Sequence, residues 1–148
     1  MSSRESSDII AVASDHAGFP LKEMLAKELA AAGNQVLDLG TNSTESVDYP
    51  DFGDAMARAL AEGKAERGVL ICGTGIGVSI AANRHKGVRA AVCHNADIAG
   101  LARAHNDANV LVLGGRFVDY ETASACLRAF LETEFEGGRH QRRIDKLD

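Results

Sequence analysis

Short apolar runs alternate along this chain with longer stretches in which apolar residues recur every three or four positions. Residues 8–14 are almost continuously apolar and predict a buried strand. Pro20 then opens a helix that places Leu21, Leu25 and Leu29 on one face and stops at Gly33. Residues 35–39 predict a second strand, 40–48 a polar loop, and 50–62 a helix led by Pro50. The third strand is 68–72, with a helix-prone stretch over 78–84. Strand four is 88–93, followed by a helix over 95–104, and strand five is 110–113. A long helix over 120–135 is broken at Gly137-Gly138, after which residues 139–143 resume as helix. Five βα units with apolar strands predict an α/β fold, a parallel sheet covered on both faces. Ligands bind such sheets at the carboxyl ends of the strands. Asp15 and His16, Cys72 and Thr74, His94, and Arg116 all follow strands there.

Composition narrows the class. At 148 residues, 45% hydrophobic and 25% charged, the chain is expected to be one domain over 8–148. Residues 1–7 are polar, contain no apolar leader, and read as a disordered tail. The net charge of -5 argues against a nucleic-acid partner. No apolar run approaches the roughly 18 residues needed to cross a bilayer, so no membrane partner is expected. The three cysteines form no CxxC pair, and neither a zinc-ligand spacing nor a disulfide framework is present. Cys93 and Cys126 lie in apolar patterns and read as core residues; a reduced, cytoplasmic location follows.

The richest segment is 68–77, Gly-Val-Leu-Ile-Cys-Gly-Thr-Gly-Ile-Gly. A buried strand here feeds a glycine turn at a helix N-terminus, where backbone N–H groups and the helix dipole favour an anion. The same field favours a thiolate at Cys72. Gly73, Gly75 and Gly77 match neither the dinucleotide nor the Walker A spacing. A Cys-x5-Arg phosphatase loop would need arginine where Val78 stands, and a nucleophile elbow would need glycine at Leu70. A general base therefore fits Cys72 best, removing a proton beside a carbonyl while the turn's amides hold the enediolate. Asp15 is either the N-terminal cap of the helix opened by Pro20 or a sugar ligand beside His16. His105, with Asn106 and Asp107, is placed in the loop before strand five, as a surface histidine or a proton donor to a ring oxygen. Arg139 and Arg143 share a helical face and can grip a phosphate together, with Arg116 as a third cation.

The set 14–18 (Ser-Asp-His-Ala-Gly), 48–50 (Asp-Tyr-Pro), 71–77, 80–83, 105–107 and 137–143 resembles the type B ribose-5-phosphate isomerase family, which includes galactose- and allose-6-phosphate isomerases. The resemblance implies a Rossmann-like three-layer α/β/α subunit with an extended C-terminal helical tail. It implies a homodimer or homotetramer with active sites at the subunit interface, and a cofactor-free, metal-free reaction on a small sugar phosphate. Ribose 5-phosphate and ribulose 5-phosphate would interconvert, a step of the non-oxidative pentose phosphate pathway. On the matched positions, Cys72 would be the base, His105 the ring-opening acid, and Thr74 an aid to proton transfer. Asp15 and His16 would contact the sugar, and the amides of Gly73, Thr74, Gly75, Ile76 and Gly77 would hold the enediolate. Arg116, Arg139 and Arg143 would bind phosphate, partly across the interface, with Tyr49 and Asn106 lining the site. The cysteine places the chain in the family's cysteine-base branch. A hexose 6-phosphate isomerase and a non-catalytic phosphosugar- or nucleotide-binding module remain the alternatives.

Overall fold

The computed structural model describes residues 8–148; the expected tail over 1–7 lies outside them. Five parallel strands form one sheet in the order β2-β1-β3-β5-β4. They are β1 (Ile9–Ser14), β2 (Gln35–Asp38), β3 (Arg67–Cys72), β4 (Ala90–Val92) and β5 (Val110–Gly114). The helices are α1 (Phe19–Ala31), α2 (Tyr49–Ala61), α3 (Ile76–Asn83), α4 (Ala96–Asn106), α5 (Tyr120–Glu132) and α6 (Arg139–Ile144).

Successive side chains of a strand point to opposite faces, and the apolar residues sort accordingly. Ile10, Val12, Val69, Ile71, Leu111 and Leu113 pack on the face covered by α1, α4 and α5. Ala11, Ala13, Leu70, Cys72, Val110 and Val112 pack on the face covered by α2 and α3. The expected three-layer α/β/α architecture is therefore present, with α6 as the C-terminal helical extension. Cys93 and Cys126 are fully buried in the first layer, as expected.

Several buried positions break the apolar pattern, the cations Lys22 and Arg67 among them. Lys22 on α1 is fully buried, and its Nζ donates to both carboxylate oxygens of Asp38 at 2.8 Å. A buried cation is tolerated only when paired, so this contact fastens α1 to the end of β2.

Strand order decides where a ligand can enter. From β1 the chain moves one way to β2, then crosses back to β3 on the other side of β1. Strand β1 continues into α1 on one face, while β3 continues into α3 on the other. The two loops diverge and leave a crevice above the carboxyl ends of β1 and β3, the switch point of the sheet. Strand β5, on the other side of β3, also leads to the α1 face through α5. The Cys72 loop is thus flanked on both sides by loops that turn away from it.

Candidate active site

The glycine turn is shorter than expected. Helix α3 begins at Ile76, two residues before the predicted start, with Gly75 as its N-cap at φ 81°. That left-handed conformation suits glycine, and a Cβ there would lie 3.1 Å from the Leu113 carbonyl carbon. Gly77 falls in the first turn of α3 rather than in the loop. A methyl on it would meet the Tyr49 ring at 2.6 Å, so Tyr49 lies directly on this turn.

The Cys72 side chain is 5% exposed, and the Gly75 N–H donates to its Sγ at 3.2 Å. A thiolate accepts such a bond more strongly than a thiol does. The Thr74 Oγ1 accepts from the Ile76 N–H at 3.1 Å, which leaves its own O–H to donate outward. The N–H groups of Gly77 and Val78, in the first turn, have no partner within the helix by geometry. A sulfur, backbone donors and a hydroxyl proton are therefore gathered on one short turn.

The neighbouring loops close around it. The Asp15 N–H donates to the Ile71 carbonyl, and Asp15 is 7% exposed. Its Oδ1 accepts from the Gly18 N–H at 3.0 Å, which closes the turn before α1. Gly18 is the N-cap and takes no side-chain cap bond, so Asp15 does not cap the helix itself. His16 accepts from the Val47 N–H through Nδ1 at 3.1 Å, so a neutral ring carries its proton on Nε2. The Arg116 N–H donates to the Gly73 carbonyl, and a methyl on Gly73 would lie 3.1 Å from Arg116 Nη1. Asp15, His16, Tyr49, residues 72–77 and Arg116 therefore form one cluster. His94 is exposed in the loop after β4. His85 is a surface residue, as expected, paired with Asp54 at 2.9 Å.

The other predicted residues sit elsewhere. His105 and Asn106 are not in a loop: they are the last two residues of α4, and Asp107 caps the helix at φ 47°. The correction has a cause. Arg103 donates to the Asp107 carboxylate at 2.7 Å, holding a turn residue at the end of a longer helix. His105, Asn106, His140 and Arg143 line a cavity of about 250 Å³ with Ile144 and Leu147. Arg139 opens α6 and is exposed.

This second cluster lies at the opposite end of the sheet. Helix α4 runs back against the strands, so its C-terminus reaches their amino ends. Val110 pairs with Gly68 and Gly114 with Cys72. The two levels are therefore about 13 Å apart along β5 at ~3.3 Å per residue. Within one chain, His105 does not meet Cys72.

Sequence reasoning missed His140 and Glu136. The His140 ring stacks on that of His105 with centroids 4.4 Å apart and planes at 14°. Burial, then Arg139 and His105, lower its basicity below that of an ordinary histidine. Glu136 and His140 are spaced i,i+4, but the two glycines between them hide the pairing, and His105 comes from another helix. Among the described residues, no helix is long and apolar enough to cross a membrane.

Comparison with known proteins gives a consistent set of relatives. Residues 10–147 match the family model described as Ribose/Galactose Isomerase. Ribose-5-phosphate isomerase B of Escherichia coli K12 is 46% identical over 138 residues, covering 93% of each chain. A solved ribose 5-phosphate isomerase of Thermotoga maritima superposes with TM-score 0.94 at 52% identity, over 95% of this chain and 97% of that one. The Mycoplasma genitalium ribose-5-phosphate isomerase B, solved with bound ribulose-5-phosphate, gives 0.91 at 45% identity, over 95% and 94%.

Proposed function

The chain belongs to the ribose/galactose isomerase family, and from that premise we propose that it interconverts ribose 5-phosphate and ribulose 5-phosphate. One observation carries the chemistry: Cys72 Sγ is held by the Gly75 N–H at the N-terminus of α3. A base and an anion-binding turn in contact suit proton abstraction beside a carbonyl. The relatives named for ribose 5-phosphate, one of them holding ribulose 5-phosphate, favour the pentose over a hexose.

The steps follow from the residues. His105 gives a proton to the ring oxygen as its bond to C1 breaks, the C1 hydroxyl loses its proton to water, and the furanose opens to the aldehyde. Cys72 as thiolate takes the C2 proton, and the electron pair forms the C1=C2 double bond. Negative charge gathers on O1, which faces the amide donors of the turn. Thr74, whose hydroxyl hydrogen is free of the Ile76 contact, passes the proton between O2 and O1. The Cys72 thiol then returns its proton to C1, and the ketose is complete. Asp15 and His16 hold the sugar hydroxyls beside Tyr49. Arg116, Arg139 and Arg143 hold the phosphate, and Asn106 lines the far wall. These steps require no cofactor.

Because Cys72 and His105 stand at opposite ends of one sheet, a complete site requires a second copy of the chain. Ile76 and Ile80, 57% and 56% exposed beside Tyr49, give an apolar face for that copy. Three free, buried cysteines fit a reduced, cytoplasmic location.

Cys72→Ala tests the reading. Its kcat on ribose 5-phosphate is expected to fall by about 10³-fold with an unchanged circular dichroism spectrum. Activity within tenfold of the unsubstituted protein removes Cys72 as base. A higher kcat/KM for allose or galactose 6-phosphate than for ribose 5-phosphate moves the substrate to the hexoses. Binding without turnover on all three would make the protein a phosphosugar-binding module.

A further inference from the structure

We propose that His105, Glu136 and His140 form a binding site for a transition-metal ion of the zinc type, and that an ion bound there inhibits the isomerase. The inhibitory half rests on the ring-opening role given to His105 above; the binding half does not.

The geometry is that of three convergent donors. One ligand atom from each residue lies within 4.8 Å of the others. His140 is 6% exposed, and its Nε2 has no hydrogen-bond partner. Glu136 Oε1 is the near oxygen, at 3.6 Å, beyond hydrogen-bond range. A buried imidazole nitrogen left without a partner is unfavourable, and here it faces a carboxylate and a second imidazole. The rings of His105 and His140 stack with centroids 4.4 Å apart, so one ring must rotate for both nitrogens to face a single ion. Two backbone anchors fix the frame. The Glu136 N–H donates to the Ala104 carbonyl at 3.0 Å, tying the α5–α6 connection to the last turn of α4. His140 is the second residue of α6, and its N–H donates to the Gly137 carbonyl at 3.1 Å.

The donor set selects the ion. Two imidazoles and one carboxylate suit zinc, cobalt, nickel or copper, whereas magnesium and calcium prefer oxygen shells. Arg139 and Arg143 act electrostatically on His140. Both guanidinium groups repel any dication bound here, so the three donor atoms must offset that repulsion. Tetrahedral ligand atoms around zinc stand roughly 3.3 Å apart, so the three donors must draw together. The Glu136 side chain, 58% exposed, has the freedom to do so. Three protein ligands leave a fourth position open to water. An ion there occupies a nitrogen of His105 and withdraws the imidazole from proton transfer to the sugar.

Cobalt(II) and zinc added to the full chain in a non-chelating buffer provide the test. One cobalt per chain is expected, with visible ligand-field absorption that zinc displaces. Glu136→Gln and His140→Gln should each weaken binding by about tenfold or more, while Cys72→Ala keeps it. Glu136→Gln lies on an exposed side chain, so its fold is safe if His140→Gln melts early. Zinc should inhibit the unsubstituted enzyme, a chelator should restore it, and Glu136→Gln should keep basal activity while resisting zinc. No saturable binding, or binding lost in Cys72→Ala and unchanged in Glu136→Gln, overturns the site. Binding without inhibition overturns the inhibitory half. If no sugar phosphate turns over, the cobalt spectrum still decides the binding half.

Discussion

The three cysteines show how much a side chain's chemistry depends on its neighbours. Cys72 has a backbone N–H on its sulfur, whereas Cys93 lies in the core and has its thiol pushed up to about 12 by burial and by Cys126. Burial raises Cys126 as well. Cys93 therefore stays protonated in the folded protein at pH values where the unfolded thiol, near 9, has ionised. A folded-state value above the unfolded one gives stability that is complete below about pH 9 and is lost as pH rises towards 12. Urea unfolding between pH 8 and 10.5 (about the range where the folded chain survives) should show stability falling with pH, and Cys93→Ala should flatten that slope. Equal slopes in the two proteins would exclude Cys93 as the source. The surroundings of Cys72 were legible in the sequence because the turn that holds its sulfur is within five residues. The His105–His140 pair was not, since the two rings come from helices separated by β5 and α5.

At the scale of elements, the glycine loop depends on what abuts it. Gly114, the last residue of β5, lies under Thr74, and a Cβ there would sit 2.6 Å from the Thr74 carbonyl oxygen. The obstacle is backbone, so the loop itself must shift. Gly114→Ala is expected to lower kcat by about 100-fold, since a displacement near 1 Å costs that much at a reacting centre. Paired melting curves should show a smaller proportional effect on stability. An unchanged kcat would mean that the position of the Thr74 turn does not matter. Helix ends were the least legible part of the sequence. The run His105-Asn106-Asp107 has the composition of a loop, and only Arg103, one turn back, and Arg89, from the start of β4, hold Asp107 as a cap. Likewise, the start of α3 at Ile76 depends on Tyr49 filling the space that Gly77 leaves.

For the whole molecule, the decisive fact is that Cys72 and His105, the proposed base and ring-opening acid, occupy opposite ends of the sheet. If a second copy joins them, each site takes Cys72 from one chain and His105 from the other. Cys72→Ala and His105→Ala homodimers should both be nearly inactive. Co-expressed together, they should regain about a quarter of the unsubstituted activity, because random pairing makes half the dimers mixed and each mixed dimer has one intact site. No recovery, with mixed dimers verified by mass spectrometry, would mean that both residues act within one chain.

The sequence by itself determined the strands, the three-layer class and the local chemistry of the Cys72 turn. These depend on periodicity and on neighbours a few residues away, and that information is linear. Tertiary structure decided the strand order and so the crevice between β1 and β3. It also decided the burial of Lys22 against Asp38, the contact of Arg116 with the turn, and the meeting of His105, Glu136 and His140. Each of these depends on which elements pack together, and that is settled by burial over the whole chain rather than by any one segment.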